Sequence, residues 1–171
     1  MKALLNIESN FYKKLTSHLL VEKNSTEQAA FLFVNNSRKN NQMVFEVIDS
    51  FIPNKNDFAI QECDYLELTD AARSGLIKRA HDLNASIVEM HSHLGPWPAA
   101  FSLSDRSGLI ETVPHMWWRL KSRPYIAIVV TKNDYDALVW IDDPNIPQSL
   151  DGIVIGNQIH KPTNNSLKGW Q

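Results

Sequence analysis

The chain has 171 residues, of which 43% are hydrophobic and 21% are charged, and its formal net charge is −2 at pH 7. This composition is typical of a globular protein with a substantial core rather than a disordered chain. The small net charge gives no reason to expect nucleic acid or an anionic membrane as a partner. The single cysteine, Cys63, excludes a disulfide framework and a cysteine-rich zinc site. It also argues against a zinc nucleobase deaminase, which needs cysteine ligands.

The two ends of the chain are candidate targeting or flexible segments. The N-terminal apolar stretch is short and ends at Glu8, unlike the apolar region of a signal peptide. No run approaches the roughly 18–20 apolar residues that cross a bilayer as a helix. We therefore expect a cytoplasmic protein with one domain at 1–160 and a loosely ordered C-terminal tail at 161–171.

Strands and helices are predicted to alternate along the chain. The first half contains a strand at 2–8, a helix from an N-cap at Ser9 or Asn10 to about Val21, strands at 28–35 and 42–50, a polar connection at 51–63, a short strand at 64–68, and a helix from Thr69 or Asp70 to about Leu83. The second half contains a strand at 85–92, a helix at about 104–120 that Pro114 should kink or break near Val113, strands at 124–131 and 136–142, and a last strand at 151–160. This order predicts an α/β fold with a mixed, mostly antiparallel sheet flanked by two or three helices.

Two histidines, His91 and His93, end the apolar run that begins at Ala85. Residues i and i+2 of a strand share a face, so both imidazoles should project together from backbone positions roughly 6–7 Å apart. This spacing suits two ligands of one metal ion, and a catalytic zinc takes a third protein ligand and a water. Asp105, just beyond a loop, is the candidate third ligand. The alternative is a pair of surface or packed histidines.

The start of the helix that follows the loop has a structural interpretation as well. Ser102 or Ser104 would be its N-cap, and Asp105 would complete a capping box with Ser102. The same interaction would turn Asp105 back toward the end of the strand, so the two interpretations are compatible.

A carboxylate beside a metal-bound water can take its proton and pass it to a leaving amine. Glu27, at the head of a buried run, is the candidate, and the alternative is an ordinary glutamate at a strand edge. Glu22 is a neighbour that belongs to the end of the first helix. Glu89 is the stronger rival because it shares a strand face with the two histidines. We expect Glu89 either to orient a ligating imidazole or to lie outside the pocket.

The combined pattern resembles the signature of the JAB/MPN (JAMM) zinc metallopeptidases, in particular short single-domain prokaryotic members. That signature is an upstream glutamate, His-x-His, a loop and Ser-x-x-Asp, here Glu27, His91-Ser92-His93 and Ser102-Leu103-Ser104-Asp105. The order of strands and helices is also similar over most of the chain. Leu94 replaces a common proline, and the loop from Leu94 to Phe101 is one residue longer than usual. These departures leave open the roles of Ser102 and Ser104.

The resemblance implies a JAB/MPN-like (cytidine-deaminase-like) core and a zinc-dependent hydrolase of peptide or isopeptide bonds. Zinc would be held by His91, His93 and Asp105, with Glu27 as general base and Ser102 as a donor to the oxyanion. The implied substrate is a ubiquitin-like protein, cut after its C-terminal tail in deconjugation or precursor maturation. Activating and conjugating enzymes are then potential partners.

Two other functions stay open, a non-catalytic binding module and a hydrolase of a small amide or sulfur-carrier conjugate. The complete residue set favours catalysis over the first, and the apolar loop does not exclude the second. The stretches 51–63 and 94–101 are candidates for lining a substrate groove. Trp97 would either contact substrate or clamp its loop, whereas Trp117 and Trp118 are expected to pack in the core. The other histidines are interpreted as surface or packed residues: His18, His81, His115 and His160.

Overall fold

A computed structural model describes residues 1–21, 23 and 25–170 of the chain. These residues form three α-helices, α1 (Ser9–Leu19), α2 (Asp70–Asp82) and α3 (Leu103–Arg119). The strands are β1 (Lys2–Ile7), β2 (Ala29–Lys39), β3 (Gln42–Phe51), β4 (Phe58–Gln61), β5 (Leu66–Leu68), β6 (Ser86–Ser92), β7 (Tyr125–Val130), β8 (Tyr135–Trp140), β9 (Gln148–Ser149), β10 (Gly152–Ile155) and β11 (Gln158–His160). No helix within the described ranges is long and apolar enough to cross a membrane.

Nine of the strands form one sheet in the order β11-β10-β1-β3-β2-β6-β7-β8-β9. Three neighbouring pairs run parallel, β1 with β10, β1 with β3 and β6 with β7. The other five pairs are antiparallel, and β4 and β5 form a separate antiparallel hairpin. The predicted α/β fold with a mixed, mostly antiparallel sheet is confirmed.

Two apolar cores lie on opposite faces of this sheet. On one face α1 buries Leu15 and Leu19, and on the other α2 and α3 bury Leu76 and Val113. Burying a side chain of this size contributes about 1.5–3 kcal/mol. The period of two along a strand divides β2 between the cores, with Ala30, Leu32 and Val34 in the first and Ala29, Phe31 and Phe33 in the second. The sheet is therefore covered by helices on both faces.

The strand β6 lies in the interior of the sheet, between β2 and β7. His91 pairs with Ala29 of β2 on one side and with Val129 of β7 on the other. Because β2 runs antiparallel to β6, the start of β2 lies beside the end of β6. This arrangement brings the segment that carries Glu27 next to the two histidines.

Both ends of α1 differ from the prediction. The N-cap of α1 is Glu8 rather than Ser9 or Asn10, because the Glu8 carboxylate accepts from the amides of Asn10 at 3.0 Å and Phe11 at 2.9 Å. A glutamate side chain is longer than those usually found at an N-cap. The helix ends at Leu19, and Glu22 lies outside the described residues.

The helix α3 continues through Pro114, so of the two outcomes predicted near Val113, a kink or a break, the break is wrong. Proline removes one backbone donor from the helix, but Val113 and Met116 on either side of it are buried in the core and hold the chain there. Trp117 packs partly buried against this core. Trp118 is 73% exposed, so its expected core position is wrong.

The predicted strand at 151–160 is instead two strands, β10 and β11, which pair as a hairpin. Gly156 lies in the turn between them with φ of +59°, a backbone conformation that glycine adopts without steric cost. Part of the predicted polar connection at 51–63 also forms a strand, β4, which pairs with β5.

Residues 161–170, here called the C-terminal segment, pack against the body of the protein rather than forming a loose tail. Ser166 is fully buried, and its amide donates to Oδ2 of the buried Asp136 at 2.8 Å. The ring of Trp170 lies edge-on to that of Trp140, with centroids 5.5 Å apart. These contacts join residues far apart in the sequence, which explains why the polar composition of the segment did not reveal them.

Candidate metal centre

Three predicted ligands converge where β6 ends. Nε2 of His91 and Nε2 of His93 are 3.2 Å apart. Asp105 places Oδ1 3.5 Å from the first and Oδ2 3.2 Å from the second. A tetrahedral metal ion with bonds of roughly 2.0–2.1 Å separates its ligand atoms by about 3.3 Å. His91, His93 and Asp105 could therefore bind one metal ion.

The strand side of this site is held by backbone pairing and by Ser92. Ser92 lies between the two histidines in the sequence, and its side chain is fully buried. Its Oγ accepts from the amide of Gln28 at 2.9 Å, and its own amide donates to the Gln28 carbonyl at 3.0 Å. These two bonds fasten the residue after Glu27 to the middle of the His-x-His motif.

The helix side is the N-terminus of α3. Ser102 is the N-cap, and Ser104 lies inside the helix. The Asp105 amide donates to Ser102 Oγ at 3.1 Å, and the Ser102 amide donates to Asp105 Oδ2 at 2.7 Å. The capping box is therefore present as predicted, and it holds Asp105 with its carboxylate toward the histidines.

The charge of Asp105 is favoured by its neighbours. Burial opposes its ionisation, but hydrogen bonds from His91 and His93 and from the Ser102 amide hold the pKa of Asp105 well below its usual range. An ionised carboxylate between two imidazoles is the form that a metal ion requires.

Glu27 lies beside the three ligands. Its side chain is buried, and Oε1 is 3.8 Å from Nε2 of His93. Burial raises the pKa of Glu27 to about 7, against the opposing effect of the nearby histidines. The backbone is held from the side of the β4–β5 hairpin, because the Glu27 amide donates to the Glu62 carbonyl at 2.8 Å and the Glu27 carbonyl accepts from Gln61 Nε2 at 3.0 Å. A carboxyl with this pKa can exchange a proton near neutral pH.

The loop before α3 is held by Phe101 rather than by Trp97. Phe101 is 3% exposed, and its ring centroid lies 6.0 Å from that of His91. Trp97 is 78% exposed, which argues against a clamp formed by burying this ring. The exposed Trp97 remains available to a binding partner.

A cavity of about 350 Å³ adjoins the ligands and lies between the sheet, α2, α3 and the β4–β5 hairpin. Glu27, His91 and Asp105 line it at the metal-binding end. Glu89 also lines it and accepts a hydrogen bond from the hydroxyl of Tyr125 on the neighbouring strand β7. Glu89 therefore lies inside the pocket, and the expectation that it could lie outside is wrong. Tyr125 is the polar side chain at the start of the otherwise apolar strand β7, but this pattern does not reveal its partner, which lies 36 residues away in the sequence.

The remaining histidines take no part in the group of three ligands. His18 Nε2, for example, is 2.9 Å from the carbonyl oxygen of Ala29. His81 Nδ1 lies 3.9 Å from the carboxylate of Asp82 on the exposed side of α2.

Comparison with protein-family models gives no match, and comparison with curated protein sequences gives none either. Among solved structures, the chain is similar to the N-terminal domain of STIL from Trichoplax adhaerens, with a TM-score of 0.39 and 11% identity. The likeness covers 77% of this chain and 38% of the length of the STIL domain chain. A functional conclusion must therefore rest on the residues of the site.

Proposed function

We propose that this protein is a zinc-dependent hydrolase of peptide or isopeptide bonds with a JAB/MPN-like core. The observation that carries the proposal is the buried carboxylate of Glu27, 3.8 Å from a histidine of the three-ligand group. A hydrolase of this kind needs a proton acceptor beside the position where a metal ion activates water. A site that only bound a metal would not require this neighbour.

Zinc is the ion that best suits the donor set. Two imidazole nitrogens and one carboxylate oxygen are typical of catalytic zinc, which keeps a fourth position for water. Magnesium and calcium prefer sites made of oxygen ligands alone. When bound at His91, His93 and Asp105, zinc would acidify a water molecule and polarise the substrate carbonyl.

The protein side chains would move the protons and support the developing charge. Glu27 takes the proton of the attacking water and delivers it to the leaving amine. Burial raises its pKa, which helps this carboxyl to hold the proton between the two steps. The exposed Ser102 hydroxyl accepts from the Asp105 amide, which leaves its own proton to be donated to the oxyanion of the attacked carbonyl.

The proposed substrate is the extended C-terminal tail of a ubiquitin-like protein, cut in deconjugation or maturation in the cytoplasm. The resemblance of Glu27, His-x-His and Ser-x-x-Asp to the JAB/MPN signature supports this choice. Exposed apolar side chains border the loop and the start of α3, namely Leu94, Trp97 and Leu103. Such a surface suits a protein partner better than a small polar molecule.

The test combines metal analysis with cleavage. Elemental analysis should give about one zinc per chain for the native protein and almost none for His93→Ala. The zinc-loaded protein should release a reporter fused to the tail of a ubiquitin-like protein, stop on chelation and recover with added zinc. Zinc binding without cleavage across a panel of such fusions would favour the binding module. Failure to bind any metal would contradict the site itself.

A further inference from the structure

The cavity beside the metal ligands has a composition that the hydrolytic chemistry does not require. Its walls combine apolar and polar side chains. The apolar ones come from α2, α3, the sheet and the β4–β5 hairpin, with Phe31, Phe58, Leu66, Leu76, Leu109 and Met116 among them. Ligand-binding pockets generally have apolar walls, a few placed polar groups and a volume of about 300–1,000 Å³. At about 350 Å³ the cavity is large enough for one long side chain.

The polar groups of the cavity are mainly acidic. Glu27 and Asp105 belong to the metal site, and the other carboxylates that line the cavity are Glu67, Glu89 and Glu111. One arginine, Arg73, also contributes to the lining. Three carboxylates against one guanidinium favour a ligand group of positive charge.

Glu89 is the carboxylate best placed to receive such a group. Tyr125 donates its hydroxyl to Oε2 of Glu89 and fixes the orientation of the carboxylate. A carboxylate has about four acceptor positions, so Oε1 stays available for a donor that enters the cavity. Glu89 is half-buried and has one side-chain donor. A second donor would stabilise its charged form, because a charged group that is removed from water is costly unless it is paired.

We propose that this cavity is a subsite for a basic side chain with a long aliphatic stem, such as lysine, and that Glu89 selects it. The apolar side chains of the cavity wall would contact the methylene groups, while Glu89 would accept from the terminal ammonium. Since the cavity begins at His91 and Asp105, the bound residue would lie next to the scissile bond. This placement rests on the proposed hydrolase function, whereas binding of the side chain does not.

The test uses two small probes and measures binding, so that its result is independent of cleavage. The probes are N-acetyl-lysine-N-methylamide and its norleucine analogue, which has the same stem without the ammonium. Titration of the isotope-labelled 171-residue chain, followed by two-dimensional NMR, should show tighter binding of the lysine probe by about tenfold or more. The largest chemical-shift changes should fall on residues of the cavity wall. Glu89→Gln should reduce the preference to less than about threefold and leave the metal content unchanged.

Two glycine substitutions provide a matched pair that does not alter any charge. A Cβ at Gly108, which lines the cavity, would meet no atom within 4 Å, and the same holds for Gly75 on the exposed part of α2. Gly108→Phe should fill the cavity and abolish binding of the lysine probe. Gly75→Phe should leave that binding unchanged.

The outcomes separate the subsite from the hydrolase. Equal binding of the two probes, shifts outside the cavity, or a preference that survives Glu89→Gln would each overturn the subsite. Lysine selection in a protein that cleaves no fusion would support the subsite and contradict the hydrolase. Cleavage at a rate that does not depend on a neighbouring lysine, together with equal binding of the two probes, would support the hydrolase and contradict the subsite.

Discussion

The two sides of the candidate metal centre are held in different ways. The strand side carries His91 on β6, which pairs along its length with both β2 and β7, and His93 directly after the end of β6. The helix side carries Asp105 at the start of α3, where its orientation depends on a capping box and on the loop before it. Many backbone hydrogen bonds hold the strand side, so the loss of one contact should displace the two histidines little. The second side relies on a few side-chain bonds.

Those few bonds come largely from the C-terminal segment. Ser166 Oγ accepts from the amide of Phe101, the residue before the N-cap, at 2.7 Å. Thr163 Oγ1 donates to the Ala99 carbonyl at 2.8 Å, and Arg106 donates to the Gly169 carbonyl at 2.5 Å. The loop and the first turn of α3 are thus fastened to residues about sixty positions later. The C-terminal segment acts as a support for Ser102 and Asp105.

The largest effect should follow removal of a ligand from either side. His93→Ala and Asp105→Ala should each lower the bound metal from about one per chain to nearly none, because a three-ligand site cannot lose one ligand and keep its affinity. Elemental analysis after dialysis measures this. Asp105→Asn is the matched control for the capping role, since its amide oxygen can still accept from the Ser102 amide. Metal retained by Asp105→Ala would remove Asp105 from the ligand set.

The next effect should fall on turnover without loss of metal. Glu27→Gln keeps the size and burial of the side chain but removes the proton acceptor, so the rate of cleavage should fall by about 10²–10⁴-fold. Metal content and the thermal unfolding midpoint of the metal-bound protein serve as controls. Near-native turnover in this variant would show that another group takes the proton.

The sequence predicted the strand side better than the helix side, and the reason is the range of the interactions. The period of two along a strand places His91 and His93 on one face, and the antiparallel neighbour brings Glu27 beside them. The capping box is likewise local, since Ser102 and Asp105 are three residues apart. The C-terminal support and the Glu89–Tyr125 pair depend on contacts over 36 residues or more, and no local pattern encodes such contacts.

A smaller effect should follow when the support of the helix side is weakened. Ser166→Ala would leave the buried amide of Phe101 without its acceptor, at a cost of about 1–3 kcal/mol in the free energy of unfolding. Because that loop holds Ser102 and Asp105, metal affinity should fall by several-fold. Hydrogen exchange should rise at 99–102 and stay unchanged along β6. Unchanged exchange and unchanged affinity would mean that the capping box alone positions Asp105.

The smallest effect on metal affinity should come from the corresponding change on the strand side. Ser92→Ala would leave the Gln28 amide without the acceptor that lies 2.9 Å away, at a similar cost of about 1–3 kcal/mol in the free energy of unfolding. The ladder bonds of β6 with both neighbours keep His91 in place, and the His93 amide donates to the Val130 carbonyl at 2.9 Å. Metal affinity should therefore change by less than about twofold. Glu27 precedes Gln28 and should lose part of its positioning, so turnover should fall. A loss of metal affinity equal to that of Ser166→Ala would show that the two sides are equally dependent on single contacts.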